Sequence, residues 1–208
     1  MTSPRLNIPG QIVILNGVPR SGKTSIVQEL QRRSARAWVN LGVDTSMAQL
    51  PETLRPGIGL RPGGERPELE DLVVVLYHGL WESIAAHAGV GVNVVVDVGL
   101  HESYSRPRAI RRAGARRLQG LPVLLVGVRC PLDVIWARRA KSWGPSGTPE
   151  RQKTEAVERW QSEVHAGLTY DLEVDTAALT PAQCADLVAA RIENGPPGDA
   201  FARLAADS

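Results

Sequence analysis

The sequence predicts an α/β fold built on a five-stranded, mostly parallel sheet flanked by helices. Five short apolar segments alternate with longer segments of helical periodicity, which is the order that βαβ units produce. The apolar segments are nearly continuous β-branched runs, as in strands that helices cover on both faces. Because 208 residues suffice for one sizeable core, we expect a single domain over residues 1–193 and a peripheral or disordered tail over 194–208.

The predicted elements can be placed in order along the chain. The strands are QIVILN (11–16), AWVNLGV (37–43), VNVVVDV (92–98), PVLLVGV (122–128) and LEVDT (172–176). The helices lie at 23–34, 46–51, 68–88, 104–119, 131–142, 149–166 and 180–193. In the helix over 68–88, apolar residues recur at helical spacing and predict one buried face. Thr180, Pro181 and Gln183 form a capping-box pattern at the start of the last helix.

Composition is that of an ordinary globular protein, with 43% apolar and 22% charged residues. The net charge of +2 is too small to indicate a nucleic-acid partner. Apolar runs fall short of the roughly 18 residues that a membrane span needs, and the N-terminus lacks a secretory apolar core. Two cysteines are typical of a reducing compartment. We expect a cytoplasmic protein without nucleic-acid or membrane partners, and the sequence leaves open whether it forms a homo-oligomer.

Residues 17–24, GVPRSGKT, match the pattern G-x-x-x-x-G-K-[ST] between an apolar strand and a helix. The backbone N–H groups of such a loop, with the helix N-terminus behind it, point at a phosphate chain. The alternative is a glycine-rich turn without function. We predict that the loop binds ATP or GTP, with Lys23 at the outer phosphates and Thr24 as a Mg²⁺ ligand. The predicted nucleotide-binding residues of the loop are Gly17, Val18, Pro19, Arg20, Ser21, Gly22, Lys23, Thr24 and Ser25.

Two aspartates lie at or just after the carboxyl ends of predicted strands, at the sheet edge where ligands of open α/β folds bind. Asp44 comes just after the second strand and can accept the proton of a substrate hydroxyl that attacks a γ-phosphoryl group. The alternative is that Asp44 caps a short helix beginning near Ser46. Asp97 ends the third strand, where it can hold Mg²⁺ directly or through water. The alternative for Asp97 is a helix cap or a loop hydrogen bond.

A basic segment surrounds the loop SWGPSG (142–147) late in the chain. We predict a short lid over about residues 138–151 that covers the phosphates and excludes water. The alternative is a solvated helix face. Arg138 is the predicted catalytic residue of this segment. Its basic residues are Arg129, Arg138, Arg139, Lys141 and Arg151.

Three side chains are candidates for the acceptor pocket beside Asp44. Tyr77 and Trp81 lie four apart on the long helix and can form an aromatic wall, with aromatic core packing as the alternative. His101 follows the third strand at the active edge of the sheet. By contrast, we expect a structural role for the string that contains His165, Tyr170 and Asp171.

Several strings together resemble the chloramphenicol phosphotransferase family, whose members are P-loop kinases that phosphorylate an antibiotic hydroxyl. They occur in order between about Gln11 and Ile192, and they are ILNGVPRSGKTSIV, LGVDT, VVVDV, VGVRCP and VHAGLTYDLEVDT. The resemblance implies that Asp44 is the general base and that Lys23 and Thr24 serve the nucleotide and Mg²⁺. It further implies that Arg129 and the arginines after it contact phosphates from the lid side.

The chain departs from this family in two places. Val98 stands where the family has a second acidic residue, so Asp97 must serve the metal alone. The stretch 46–67, which is expected to shape the acceptor pocket, does not resemble the corresponding stretch of chloramphenicol-specific members. Another hydroxylated antibiotic is therefore as good a candidate for the acceptor as chloramphenicol.

We therefore predict an ATP-dependent small-molecule kinase with a P-loop kinase fold and a short basic lid. It is expected to phosphorylate a hydroxyl of an antibiotic or related natural product, in resistance or self-protection. The alternatives are a metabolite or sugar-nucleotide P-loop kinase and, from a different class, a nucleotide-binding regulatory switch.

Overall fold

A computed structural model describes residues 8–54, 67–140 and 158–206. The described residues form a five-stranded sheet in the order β2-β3-β1-β4-β5, and each pairing is parallel. The α/β class and the parallel sheet are thus confirmed. Because β1 is the central strand, the loop that follows it emerges in the middle of the carboxyl edge. The strands are β1 (Ile12–Asn16), β2 (Trp38–Asn40), β3 (Asn93–Val98), β4 (Val123–Arg129) and β5 (Leu172–Asp175).

Helices connect and cover the strands, and the described residues between α2 and α3 include the 3₁₀ turns Glu52–Leu54 and Pro67–Leu69. The seventh helix begins with the predicted capping box of Thr180 and Gln183. The helices are α1 (Lys23–Arg33), α2 (Val43–Ala48), α3 (Glu70–Gly89), α4 (Ile110–Arg117), α5 (Leu132–Ala140), α6 (158–163), α7 (Pro181–Asn194) and α8 (Ala200–Arg203).

The core lies on both faces of the sheet. Alternate strand residues such as Ile14 and Val96 pack with α3, α4 and α8 on one face. Their neighbours, such as Leu15 and Val95, pack with α1 and α7 on the other. This two-sided burial is the reason the strand sequences are continuously apolar. No helix in the described parts of the chain is long and apolar enough to cross a membrane.

The helix expected over 104–119 is shorter than predicted and begins at Ile110. Ala109, directly before it, has a left-handed φ of 52°, which α-helical residues do not adopt. The preceding loop is instead held by Glu70, whose carboxylate accepts from Ser105 N at 2.9 Å and from Arg108 Nη2 at 2.7 Å. Burial acts to raise the pKa of Glu70, but the donors Ser105 and Arg108 hold it below its usual range.

The expectation of a peripheral tail after residue 193 is wrong for the segment that contains α8. Phe201 is 1% exposed, and its ring centroid lies 5.6 Å from that of Trp81. Asp171 anchors the start of the segment, because its Oδ1 accepts from Asp199 N at 2.9 Å and from Ala200 N at 3.1 Å. A single turn of helix with an aromatic residue is thus enough to complete the core on the α3 side.

Candidate active site

Residues 17–22 connect β1 to α1 and form a tight loop. Gly22 has a φ of 96° and Arg20 a φ of 70°, so two of its residues adopt the left-handed conformation that builds anion-binding concavities. A Cβ on Gly17 would lie 2.6 Å from Val128 O, so the loop is packed directly on β4. Lys23 Nζ donates to Gly17 O and to Val18 O, both at 2.8 Å, and its ammonium group therefore lies across the loop.

The start of α1 is suited to an anion. Gly22 is its N-cap and offers no side-chain acceptor to the first-turn N–H groups, which leaves them for a ligand. Ser21 Oγ is buried and, within the part of the chain that the structure describes, has no hydrogen-bond partner. These donors and the Lys23 charge are suited to a phosphate group, which is the ligand that the sequence predicts for this loop.

Thr24 and Asp97 lie together beneath the loop. Thr24 Oγ1 donates to Asp97 Oδ2 at 2.8 Å, and Asp97 is buried at the carboxyl end of β3. Mg²⁺ in such sites takes one or two protein oxygens and completes its shell with phosphate and water, so this hydroxyl–carboxylate pair fits the ion. Among the described residues no cluster of three His, Cys, Asp or Glu side chains could hold a metal by itself. Nucleotide oxygens would therefore have to complete the shell.

Asp97 also contacts the turn that begins α2. An ideal Cβ on Gly42 would lie 1.7 Å from Asp97 Oδ1, so only a glycine allows the carboxylate its position. Gly42 is the N-cap of α2, and Asp44 is the second residue of that helix. The alternative in which Asp44 caps a helix near Ser46 is therefore wrong, because the helix starts earlier, at Val43.

The predicted arginines lie at different places around the loop. Arg138 lies against it and donates from Nη1 to Arg20 O at 3.2 Å. Arg129, at the end of β4, instead pairs with Glu173 Oε2 at 2.6 Å and lies over the Tyr170 ring. Arg139 is buried, with its guanidinium over the Trp136 ring. Lys141 and Arg151, and with them most of the predicted lid, lie outside the described residues, as does the loop at 55–66.

The three aromatic candidates for the acceptor pocket have different surroundings. Trp81 is 1% exposed and packs on Tyr77 and Phe201. Its ring is therefore not accessible to a ligand, and core packing, the alternative interpretation, applies to Trp81. Tyr77 is buried on the same face of α3. His101 lies at the carboxyl end of β3, stacked on Tyr104 with centroids 4.5 Å apart and edge-on to Trp160 at 6.4 Å.

Sequence reasoning missed a polar anchor directly before the loop. Asn16 Nδ2 donates to Val164 O at 2.8 Å and to the Tyr170 hydroxyl at 2.9 Å, and its Oδ1 accepts from Leu100 N at 2.7 Å. His165 Nδ1 lies 2.6 Å from the same hydroxyl. Burial, with a smaller contribution from the Arg129 charge, lowers the pKa of His165 to about 4. The available signal was a buried polar residue ending an apolar strand, and these contacts support the structural role expected of His165 and Tyr170.

Thr176, the residue after β5, was also missed. Its hydroxyl donates to Ser21 O at 2.6 Å and accepts from Arg138 Nη1 at 3.1 Å. Arg138 Nη2 donates to Thr176 O at 2.7 Å. The residue after β5 thus contacts the predicted phosphate-binding loop through Ser21 O.

The chain is similar to a known protein family over most of its length. A family model described as chloramphenicol phosphotransferase-like protein matches residues 10–193. A Mycobacterium tuberculosis (strain H37Rv) protein provisionally named an O-phosphotransferase is 26% identical over 183 residues, with 81% of this chain and 76% of that protein covered.

Solved structures are similar over most of the chain. The APS kinase of Mycobacterium tuberculosis, in complex with AMPPNP and APS, has a TM-score of 0.62 at 17% identity, covering 89% of this chain and 99% of its own. The Deinococcus radiodurans tunicamycin resistance protein has a TM-score of 0.59 at 20% identity, covering 90% and 99%. At these identities the likeness shows the fold alone, and the predicted P-loop kinase fold is confirmed.

Proposed function

Because this chain belongs to the chloramphenicol phosphotransferase-like family and has a P-loop kinase fold, we propose that it transfers the γ-phosphoryl group of ATP to a hydroxyl of a small natural product. The acceptor class that we propose is a hydroxylated antibiotic, chloramphenicol included, with a role in resistance or self-protection in the cytoplasm. The observation that carries the proposal is the contact between Thr24 and Asp97 directly under the phosphate-binding loop.

The loop residues would bind and orient the nucleotide. Lys23 would exchange its two carbonyl acceptors for the outer phosphates, and the first-turn N–H groups of α1 would donate to the same anion. Thr24 and Asp97 are the residues that would hold Mg²⁺, which neutralises charge on the phosphates as the γ-phosphoryl group leaves.

Asp44 is the proposed general base. It is supported by the family resemblance and by its place two residues after Gly42, which contacts the Asp97 carboxylate. A carboxylate at this position would accept the proton of the acceptor hydroxyl as its oxygen attacks phosphorus. Arg138, at the outer side of the loop, is the arginine that would stabilise the transferring charge if it turns from the Arg20 carbonyl to the phosphates.

A metabolite kinase is the second candidate. It is favoured by the structural likeness to the APS kinase and to a sugar kinase from Janibacter sp. HTCC2649 (TM-score 0.58, 18% identity, covering 96% of this chain and 100% of that one). Mass spectrometry of the protein incubated with Mg-ATP and a panel of hydroxylated antibiotics, sugars and nucleosides separates the two. The proposal expects one phosphoryl group on an antibiotic, whereas phosphorylation of a sugar or nucleoside alone would favour the second candidate.

The role of Asp44 has its own test once an acceptor is known. Asp44→Asn should lower kcat by about 10²–10⁴-fold while the affinity for Mg-ATP stays near that of the wild type, because only the proton acceptor is lost. Asp133→Asn, an exposed change on α5, is the control and should leave both quantities unchanged. Wild-type kcat in Asp44→Asn would remove Asp44 from the mechanism.

A further inference from the structure

We propose that Thr176 is a positioning residue of the phosphate-binding loop, which acts by fixing the peptide plane between Ser21 and Gly22. The inference rests on nucleotide binding at this loop, as proposed above. Thr176 follows β5, the edge strand of the sheet, while the loop follows the central strand β1. Its hydroxyl is 2.6 Å from Ser21 O, a short hydrogen bond between residues 155 positions apart.

The direction of this bond determines what the loop offers a ligand. In a trans peptide the C=O and N–H groups point in opposite directions, and the described chain has no cis peptide bonds. Because Thr176 holds the Ser21 carbonyl, the N–H of Gly22 is directed away from Thr176. An inward-pointing N–H at this position is what a phosphate-binding loop needs.

Arg138 orients the Thr176 hydroxyl and also holds the preceding peptide, between Arg20 and Ser21. Its Nη1 donates to Thr176 Oγ1 at 3.1 Å, which occupies a lone pair and leaves the hydroxyl hydrogen for Ser21 O. The same guanidinium donates to Arg20 O and to Thr176 O. Arg20 has a φ of 70°, an uncommon conformation for a residue with a side chain, which persists only where neighbours support it.

The bond lies in the interior rather than on the surface. Ser21 is fully buried and Thr176 is 9% exposed, so water does not replace the hydroxyl donor easily. Removal of the donor would leave the Ser21 carbonyl without this partner and free the peptide to rotate. Loss of this hydrogen bond should therefore weaken phosphate binding at the loop.

The test measures nucleotide affinity by calorimetry, with ADP and AMPPNP in the presence of Mg²⁺. Thr176→Val keeps the shape of the side chain and removes the donor, and Thr176→Ser keeps the donor. The matched control is Thr169→Val, an exposed threonine whose hydroxyl accepts from Arg203 Nη2 at 3.2 Å. We expect affinity about tenfold weaker in Thr176→Val, within about twofold of wild type in Thr176→Ser, and unchanged in Thr169→Val.

Three outcomes would overturn the inference while leaving the proposed function intact. They are wild-type affinity in Thr176→Val, an equal loss in Thr176→Ser, and an equal loss in Thr169→Val. Wild-type protein that binds neither nucleotide would overturn the proposed function as well. Melting temperatures without nucleotide establish that each variant is folded, and Thr176→Ala carries the same expectation should the valine variant not fold.

Discussion

Gly42→Ala tests the contact between the Asp97 carboxylate and the start of α2. The new Cβ would lie 1.7 Å from Asp97 Oδ1, and Cβ contacts under 3.0 Å are essentially never seen, so the two atoms must separate by at least 1.3 Å. The backbone is not the obstacle, because a φ of −57° and a ψ of 152° are open to alanine. The carboxylate must therefore give way and strain its 2.8 Å bond with Thr24. We expect the free energy of unfolding to fall by about 1–3 kcal/mol.

A double-mutant cycle in guanidinium chloride measures this effect. In an Asp97→Ala background the clash is gone, so Gly42→Ala should cost only what alanine costs at an N-cap, at most about 1 kcal/mol. The matched control is Gly79→Ala in α3, where an added Cβ meets nothing within 4 Å and the change should stabilise by up to about 1 kcal/mol. An equal cost of Gly42→Ala in both backgrounds would refute the steric argument.

Two further predictions concern stability. Phe201→Ala should lower the free energy of unfolding, measured by urea titration, by about 3–5 kcal/mol, because it leaves a cavity beside Trp81 where a side chain 1% exposed had packed. The control is Leu187→Ala, which changes a half-exposed side chain. Equally small effects of the two substitutions would contradict the core role of α8. The His165 pKa of about 4 predicts that stability decreases as pH falls from about 6.5 towards 4, by at most about 1.4 kcal/mol per pH unit, because the unfolded chain takes up the proton first. His165→Gln should flatten this dependence and the exposed His78→Gln should retain it, so the same slope in both variants would rule His165 out.

The strands that are buried on both faces are the elements whose bounds the sequence predicts most accurately. The ends of β1, β3 and β4 fall within one residue of the expected bounds, since continuous apolar runs mark such strands directly. The edge strand β2 is shorter than expected and spans Trp38–Asn40, because a half-buried strand shows no such run. The tail helix α8 was missed, since Pro196, Pro197 and Gly198 before it are typical of a loop and its burial depends on contacts with α3 and α4.

The candidate site divides in the same way. The loop proposed to bind phosphate could be found from spacing alone, because its pattern of residue types, GVPRSGKT, lies within eight consecutive positions. The roles of Asn16 and Thr176 could not be found from the sequence, since each residue forms a hydrogen bond with a partner about 150 residues away in the chain. The requirement for glycine at position 42 could not be predicted either, because it arises only when the fold places Asp97, on β3, beside the turn.

The most direct test of the account follows the phosphoryl group itself. The protein is incubated with Mg²⁺ and ATP carrying ¹⁸O in the γ-phosphoryl group, with and without the mixed panel of hydroxylated antibiotics, and label is traced by mass spectrometry. We predict that label appears on the hydroxyl of an antibiotic, that little label is released as inorganic phosphate when the panel is absent, and that Lys23→Ala loses the transfer. Label that reaches only inorganic phosphate, at a rate indifferent to the panel, would contradict phosphotransfer and favour a nucleotide-binding switch.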